Sequence, residues 1–415
     1  MTIAEKILAK ASGKKKVVPN DIVMAKIDVA MSHENADVVL RSFREIGVRH
    51  VWDRDKIVIL FDHRIPAESE KSAATHKRLR EFVKEQGITH FYDMKEGICH
   101  QILPEFGLCR PGEVLVGTDS HTTTHGAFGT FATGIGATEM SGVWATGELW
   151  FKAPESIKIT VNGSLQHHVS AKDLILHIIG MLGADGADYK AVEFCGETIH
   201  TMSIASRMVL SNLCMEMGAK VAFVLPDEKT ISYVKEHTNK KFEVIVPDEN
   251  AQYIKELPID VTNLEPQIAC PHAVDNVKPV KDVAGIKIHQ ALIGSCTNGR
   301  LEDLAVAAEI VEHKKVHPDV RLLVIPASRK VYLQAIKQGY IEIFVKAGGL
   351  VLNPGCGPCL GAHQGLLAPG EVCVATTNRN FKGRMGSPDS FVYLASPATV
   401  AFSALTGEIT APETE

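Results

Sequence analysis

The chain has 415 residues, more than one hydrophobic core usually serves, so two or three domains are expected. Its 45% hydrophobic and 22% charged content is that of an ordinary soluble globular protein, and a net charge of -5 excludes the basic footprint of a nucleic-acid binder. No run approaches the roughly 18–20 apolar residues of a membrane span, and Met1-Thr2-Ile3-Ala4-Glu5-Lys6 holds no apolar signal core, so a cytoplasmic protein is expected.

Short apolar runs alternate with helical patterns throughout, the signature of α/β architecture with parallel sheets. Ile57-Val58-Ile59-Leu60-Phe61 reads as a buried strand ending at Asp62-His63. A polar helix from about Glu68 to Gly87 and a strand over 88–92 follow. Val114-Leu115-Val116 reads as a strand running into Gly117-Thr118-Asp119-Ser120-His121-Thr122. Acid–imidazole pairs at strand carboxyl ends sit where open α/β sheets place their ligands. Gly134-Ile135-Gly136 is only a fragment of a dinucleotide fingerprint, because Glu139 stands where the third glycine belongs.

A boundary is expected near Pro154, and a second between Leu257 and Pro279, giving domains over 1–155, 156–280 and 281–415. In the second, Ile157 to Val161 alternates like an edge or half-buried strand, and helices are expected over 170–182 and 203–217. Val221 to Leu225 reads as a strand before a helix opened by Asp227. The third repeats the pattern, with strands over 291–293, 321–325 and 350–352 and helices over 301–313 and 329–339. Two cysteine-bearing loops, Gly294 to Arg300 and Asn353 to Gly361, follow strands here, and a helix is expected after each.

Nine cysteines in a long chain argue against a disulfide framework and for metal or redox use of a few. Cys356-Gly357-Pro358-Cys359 alone allows half a zinc site, a redox pair or part of an iron–sulfur site. A second pair for zinc is missing, and Cys296 stands alone upstream. Three cysteines on two strand-end loops suit a [4Fe–4S] cluster with one iron lacking a thiolate. Asp62-His63 and Asp119-Ser120-His121 each put a carboxylate beside an imidazole, which fixes the tautomer and raises the imidazole pKa. Helix capping is the plain alternative for either pair. His100 reads equally as a core histidine. Asn212 and Glu216 share a helix face, and Arg379 and Arg384 in an Asn/Gly-rich loop suit carboxylates, with surface ion pairs as their alternative.

Phe61-Asp62-His63, Gly97-Ile98-Cys99-His100-Gln101, Gly117 to Thr122, Ser211 to Gly218, Gly294 to Arg300, Gly355 to Cys359 and Asn378 to Arg384 together resemble the motifs of the aconitase superfamily, in one order over essentially the whole chain. Within it the chain is similar to the short-form large subunits of the 3-isopropylmalate dehydratase and homoaconitase branch. The resemblance implies three doubly wound α/β domains around a [4Fe–4S] cluster held by Cys296, Cys356 and Cys359. It implies a hydro-lyase that isomerises a 2-hydroxy di- or tricarboxylate, with 3-isopropylmalate first, homoaconitate second and methylmalate-type acids third. His63, oriented by Asp62, would protonate the departing hydroxyl, while Asp119, His121 and Glu216 hold hydroxyl or water. Ser120, Arg379 and Arg384 would bind substrate, with His100, Asn212 and Asn378 close behind the cluster. Two features depart from single-chain aconitases. The swivelling domain with its serine base is expected on a separate small subunit, and a carboxylate-binding glutamine has no counterpart in Ala25-Lys26-Ile27-Asp28. An electron-transfer protein with a fully ligated cluster and a cluster-free RNA-binding regulator are the rival classes.

Overall fold

Strand Ile57–Leu60 is buried at every position, and its side chains part to two faces. Ile57 and Ile59 join a core with Phe43, Phe82 and Trp144, whose rings pack at 5.3 to 6.1 Å. Val58 and Leu60 face Cys99 and Leu103 of the helix Cys99–Glu105. A strand covered on both faces is apolar throughout, which is why it reads so plainly in the sequence. This computed structural model describes residues 1–413.

The first sheet runs His90–Tyr92, Ile57–Leu60, Val29–Ser32, Val114–Gly117, Phe131–Gly134, all parallel. The chain reverses its direction of winding between Val29–Ser32 and Val114–Gly117, and such a switch point opens a crevice at the carboxyl ends of the strands. An antiparallel ribbon of Ile22–Lys26 and Glu148–Lys152 lies beside it.

The second sheet is parallel, in the order Val221–Val224, Ala191–Cys195, Ser156–Asn162, Lys255–Asp260. Ser156–Asn162 pairs on both sides, so it is interior and not an edge. Its alternation arises because Lys158 and Thr160 face a partly open side. The helix expected over 203–217 ends at Leu213, and Cys214–Met217 tightens into a 3₁₀ turn closed by Gly218.

The third sheet has seven strands: Val277–Pro279, Gln267–Ala269, Phe391–Leu394, Val372–Ala375, Gln290–Ile293, Arg321–Val324, Leu350–Val351. Gln267–Ala269 is antiparallel to both neighbours, and the last five strands are mutually parallel. The change of sheet therefore falls between Asp260 and Gln267, inside the region 257–279 expected to hold the boundary and ahead of the limit drawn at 280; Pro266, Pro271 and Pro279 disguise two short strands as linker. One core joins Leu174 and Phe194 of the second unit to Leu292 and Leu394 of the third without a seam. Cys296 lies on a short helix, Ser295–Asn298, not in an open loop. No α-helix follows the Cys356 loop. A single 3₁₀ turn, Gly357–Leu360, ends at Gly361, and irregular chain leads to Val372. Among the described residues no helix is long and apolar enough to cross a membrane.

The 3₁₀ segment Ser120–Phe128 joins the first two units by lying against Val221–Val224. Gly126 is the point of closest approach, since a Cβ there would sit 1.7 Å from the Ala222 carbonyl oxygen. Gly126→Ala should lower stability by about 1–3 kcal/mol or more through overpacking, read as the denaturant midpoint. An unchanged midpoint would mean that this contact does not tie the two units together.

Candidate active site

Two strand ends of the first sheet deliver one polar wall. Asp62 and His63 follow Ile57–Leu60, and Asp119 follows Val114–Gly117. His63 Nδ1 lies 2.6 Å from Asp62 Oδ1, and its Nε2 lies 3.5 Å from Asp119 Oδ2. Burial opposes charge on His63, but the Asp62 and Asp119 carboxylates outweigh it and hold the imidazole well above its ordinary value. Burial likewise opposes ionisation of Asp62, yet His63 and the Cys99 amide hold it down to about 2. Asp119 Oδ1 also meets His100 Nε2 and the His121 amide, each at 2.8 Å. Its burial is overridden by three imidazoles, which keep it ionised well below the usual carboxylate range.

The second unit contributes from behind. Glu216 Oε1 lies 2.8 Å from His121 Nε2. Arg379 Nε donates to both Glu216 oxygens, at 2.8 and 3.1 Å. Against burial, these partners keep Glu216 ionised, and Asp119 with Glu216 raises His121. Glu216 and Asn212 thus reach one site although Glu216 lies past the helix end. The Arg379 guanidinium, expected free for substrate, already has an anionic partner.

The third unit supplies three buried thiols. Asn212 Nδ2 donates to Cys296 Sγ at 3.2 Å, and Asn378 Nδ2 donates to it at 3.4 Å. Asn378 Oδ1 lies 3.6 Å from Cys296 Sγ and 3.7 Å from Cys359 Sγ, and the two asparagines bond each other. The Cys356 thiol donates to Cys359 and so raises its own pKa while lowering that of Cys359, against burial and with help from Arg384. Arg384 Nε is buried with no hydrogen-bond partner among the described residues.

All these groups surround one cavity of about 590 Å³. His63, His100, Asp119, Ser120, His121, the three thiols, Asn378, Arg379 and Arg384 line it; Asp62, Asn212 and Glu216 stand directly behind. Three soft sulfur donors buried together fit an iron–sulfur group better than a hard cation. The fit has a second sign: amide donors already point at sulfur, as they do around thiolate-bound metal.

Some residues of the site carry no motif signal. Glu34 Oε1 accepts the backbone amides of Asp62, His63 and Arg64 at 2.9 to 3.0 Å, and so fixes the turn that aims His63. His33 stacks on the His63 ring at 4.2 Å. His33, Glu34, Asp62 and His63 lie close enough to hold a cation; Glu34 Oε1, both Asp62 oxygens and His63 Nδ1 are spent on this internal network, while Glu34 Oε2 is buried with no hydrogen-bond partner among the described residues. The position of Glu34, two residues past Val29–Ser32, is the one clue the sequence offers. Arg300 clamps the Cys296 turn by donating to the Cys296 and Thr297 carbonyls at 2.8 and 2.6 Å.

The Aconitase family (aconitate hydratase) model matches residues 5–285 and 276–407. A probable 3-isopropylmalate dehydratase large subunit of Methanothermobacter thermautotrophicus is 57% identical over 99% of both chains. A 3-isopropylmalate dehydratase large subunit of Methanopyrus kandleri is 56% identical over 99% of this chain and 98% of its own. A probable methanogen homoaconitase large subunit of M. thermautotrophicus is 53% identical over all of this chain and 98% of its own. A family match across both the polar wall and the thiol loops, with such identity from end to end, leaves one assignment: the chain belongs to the aconitase family.

Proposed function

We propose that the chain is the large subunit of 3-isopropylmalate dehydratase, a cytoplasmic hydro-lyase that interconverts 2- and 3-isopropylmalate by dehydration and rehydration in leucine biosynthesis. The observation that carries the reading is the single cavity in which three buried thiols face His63, Asp119 and His121. The 57% identical relative supports the substrate, and the 53% identical homoaconitase subunit supports homoaconitate as a second reading. Three α/β units frame the site, with limits near 155 and between 260 and 267.

Family membership implies a [4Fe–4S] cluster, and Cys296, Cys356 and Cys359 are the residues that would hold it. When bound, with one iron free of protein thiolate, it supplies Lewis acidity toward a substrate oxygen. The chain's own groups do the rest. Arg384, whose Nε has no partner, binds a substrate carboxylate through its guanidinium fork, with Arg379 and Ser120 beside it. Asp119 and His121, the latter held by Glu216, position the hydroxyl or water. His63 gives its Nε2 proton to the departing hydroxyl and recovers it from water in the return step. The carbon-bound proton needs a base. Asp62, Asp119 and Glu216 are each committed to imidazole or guanidinium, which supports a base from the small subunit implied by the relatives' large-subunit names.

The test is turnover by the reconstituted chain together with its small subunit. A higher kcat/KM on isopropylmalate than on homoaconitate is expected. The reverse order moves the assignment to the second reading, and no turnover of either acid sinks both.

A further inference from the structure

Lys172 is completely buried. It stands in the first turn of the helix Ala171–Leu182, where the helix dipole disfavours a cation. It forms no salt bridge within 4.0 Å among the described residues. Its neighbour Asp173 is spent on the Ser170 cap and the Gln267 amide. A buried ammonium group without a counter-ion is costly, so something else must offset it.

Nζ donates to the carbonyls of Thr376 and Thr377, at 3.0 and 2.6 Å. These residues directly precede Asn378, whose side chain lies against the sulfurs of Cys296 and Cys359. Burial pulls Lys172 down to about 7, and the thiolate forms of Cys296 and Cys359 are the strongest influences in the other direction, ahead of Asp173 and Asp303. Two carbonyls need donors but not a charge, and a neutral amide would serve a purely structural pin.

We infer that Lys172 is the built-in counter-charge of Cys296 and Cys359, a positioning residue that sets positive charge behind these two thiols and holds the turn presenting Asn378 from its far side. The inference rests on the proposed cluster. Neither a direct sulfur contact nor a contact with substrate is involved, so its role is exerted through the Thr376–Asn378 backbone and through its field.

The test compares wild type with Lys172→Met, which removes charge and donors, and Lys172→Gln, which keeps donors but not charge. Two quantities are read: the difference in Tm between cluster-loaded and apo protein, and the reduction potential of the reconstituted cluster followed by electron paramagnetic resonance. Both variants should narrow the Tm difference and move the potential in the negative direction, because the more reduced, more anionic state loses its nearby cation. A variant that folds but takes up no cluster supports the inference. An unchanged potential in Lys172→Gln overturns it, as does an equal loss of Tm in loaded and apo forms. If neither variant folds without the cluster, Lys172 is a structural residue and the inference fails. Absence of cluster uptake by the wild type is a different failure, that of the proposed function itself.

Discussion

Cys296→Ser is expected to remove the cluster and all turnover, while Cys373→Ser leaves both in place. Both thiols are buried, Cys296 at 8% exposure and Cys373 at 0%, so burial alone does not decide between them. Their surroundings do. Cys296 Sγ receives two amide donors, shares Asn378 with Cys359 and opens on the cavity; burial and nearby anions push it up to about 11, against those amides. Such a thiol is costly to ionise unless a metal replaces the proton, which is what ligation does. Serine offers a harder oxygen that suits iron–sulfur chemistry poorly. Cys373 lies inside the strand Val372–Ala375, with Gln290 at 3.9 Å as its only polar partner among the described residues, and burial pushes it up to about 12. It acts as a small apolar residue, and a serine there should cost no more than about 1–3 kcal/mol of stability. Iron content, visible absorption and turnover of the two purified variants check this. Equal behaviour would remove Cys296 from the ligand set.

His63→Gln should lower kcat by about 10²–10⁴, the usual contribution of a positioned general acid. Asp62→Asn should cost less and reveal more. Asp62 is the strongest influence holding the His63 imidazole above its ordinary value against burial. In the wild type the acid form of His63 therefore persists to higher pH than that of an ordinary imidazole and is lost only as pH rises through that raised value. With asparagine the proton leaves earlier, so the alkaline limb of kcat/KM moves to lower pH. The pH–rate profile of the assembled enzyme measures the limb, and a limb that stays put in Asp62→Asn would show that His63 is not the titrating acid.

The residues that could be found from sequence share one property: local pattern exposes them. Asp62, His63, Asp119 and His121 follow apolar runs that end abruptly, and the sheet delivers them to the crevice. The Cys356 loop announces itself by glycine and proline. Glu34 was hidden because Ser32-His33-Glu34-Asn35 looks like an ordinary polar entry to the helix Ala36–Ile46. Lys172 was hidden for a similar reason, because Ser170-Ala171-Lys172-Asp173 reads as a capped helix start and its carbonyl partners lie 204 and 205 residues away. The pairing of Arg379 with Glu216 spans 163 residues and has no local trace either. The two short strands before 280 were masked by prolines, and the interior strand Ser156–Asn162 by the half-open face of its sheet. Local chemistry is written in the chain; which distant charge meets which is decided by packing.

The site draws its acid wall from the first sheet, Glu216 from the second unit, and its sulfur and guanidinium groups from the third, with Arg384 the last of them along the chain. During synthesis, then, the pocket cannot be completed before Arg384 has left the ribosome. The polar wall comes first in the chain, and its carboxylates are answered by imidazoles within the same wall. Cys356, Cys359 and Arg384 come last in the chain order of the site, so a chain cut before Asn353 would keep every residue of the polar wall and lose two of the three thiols proposed to seat the metal.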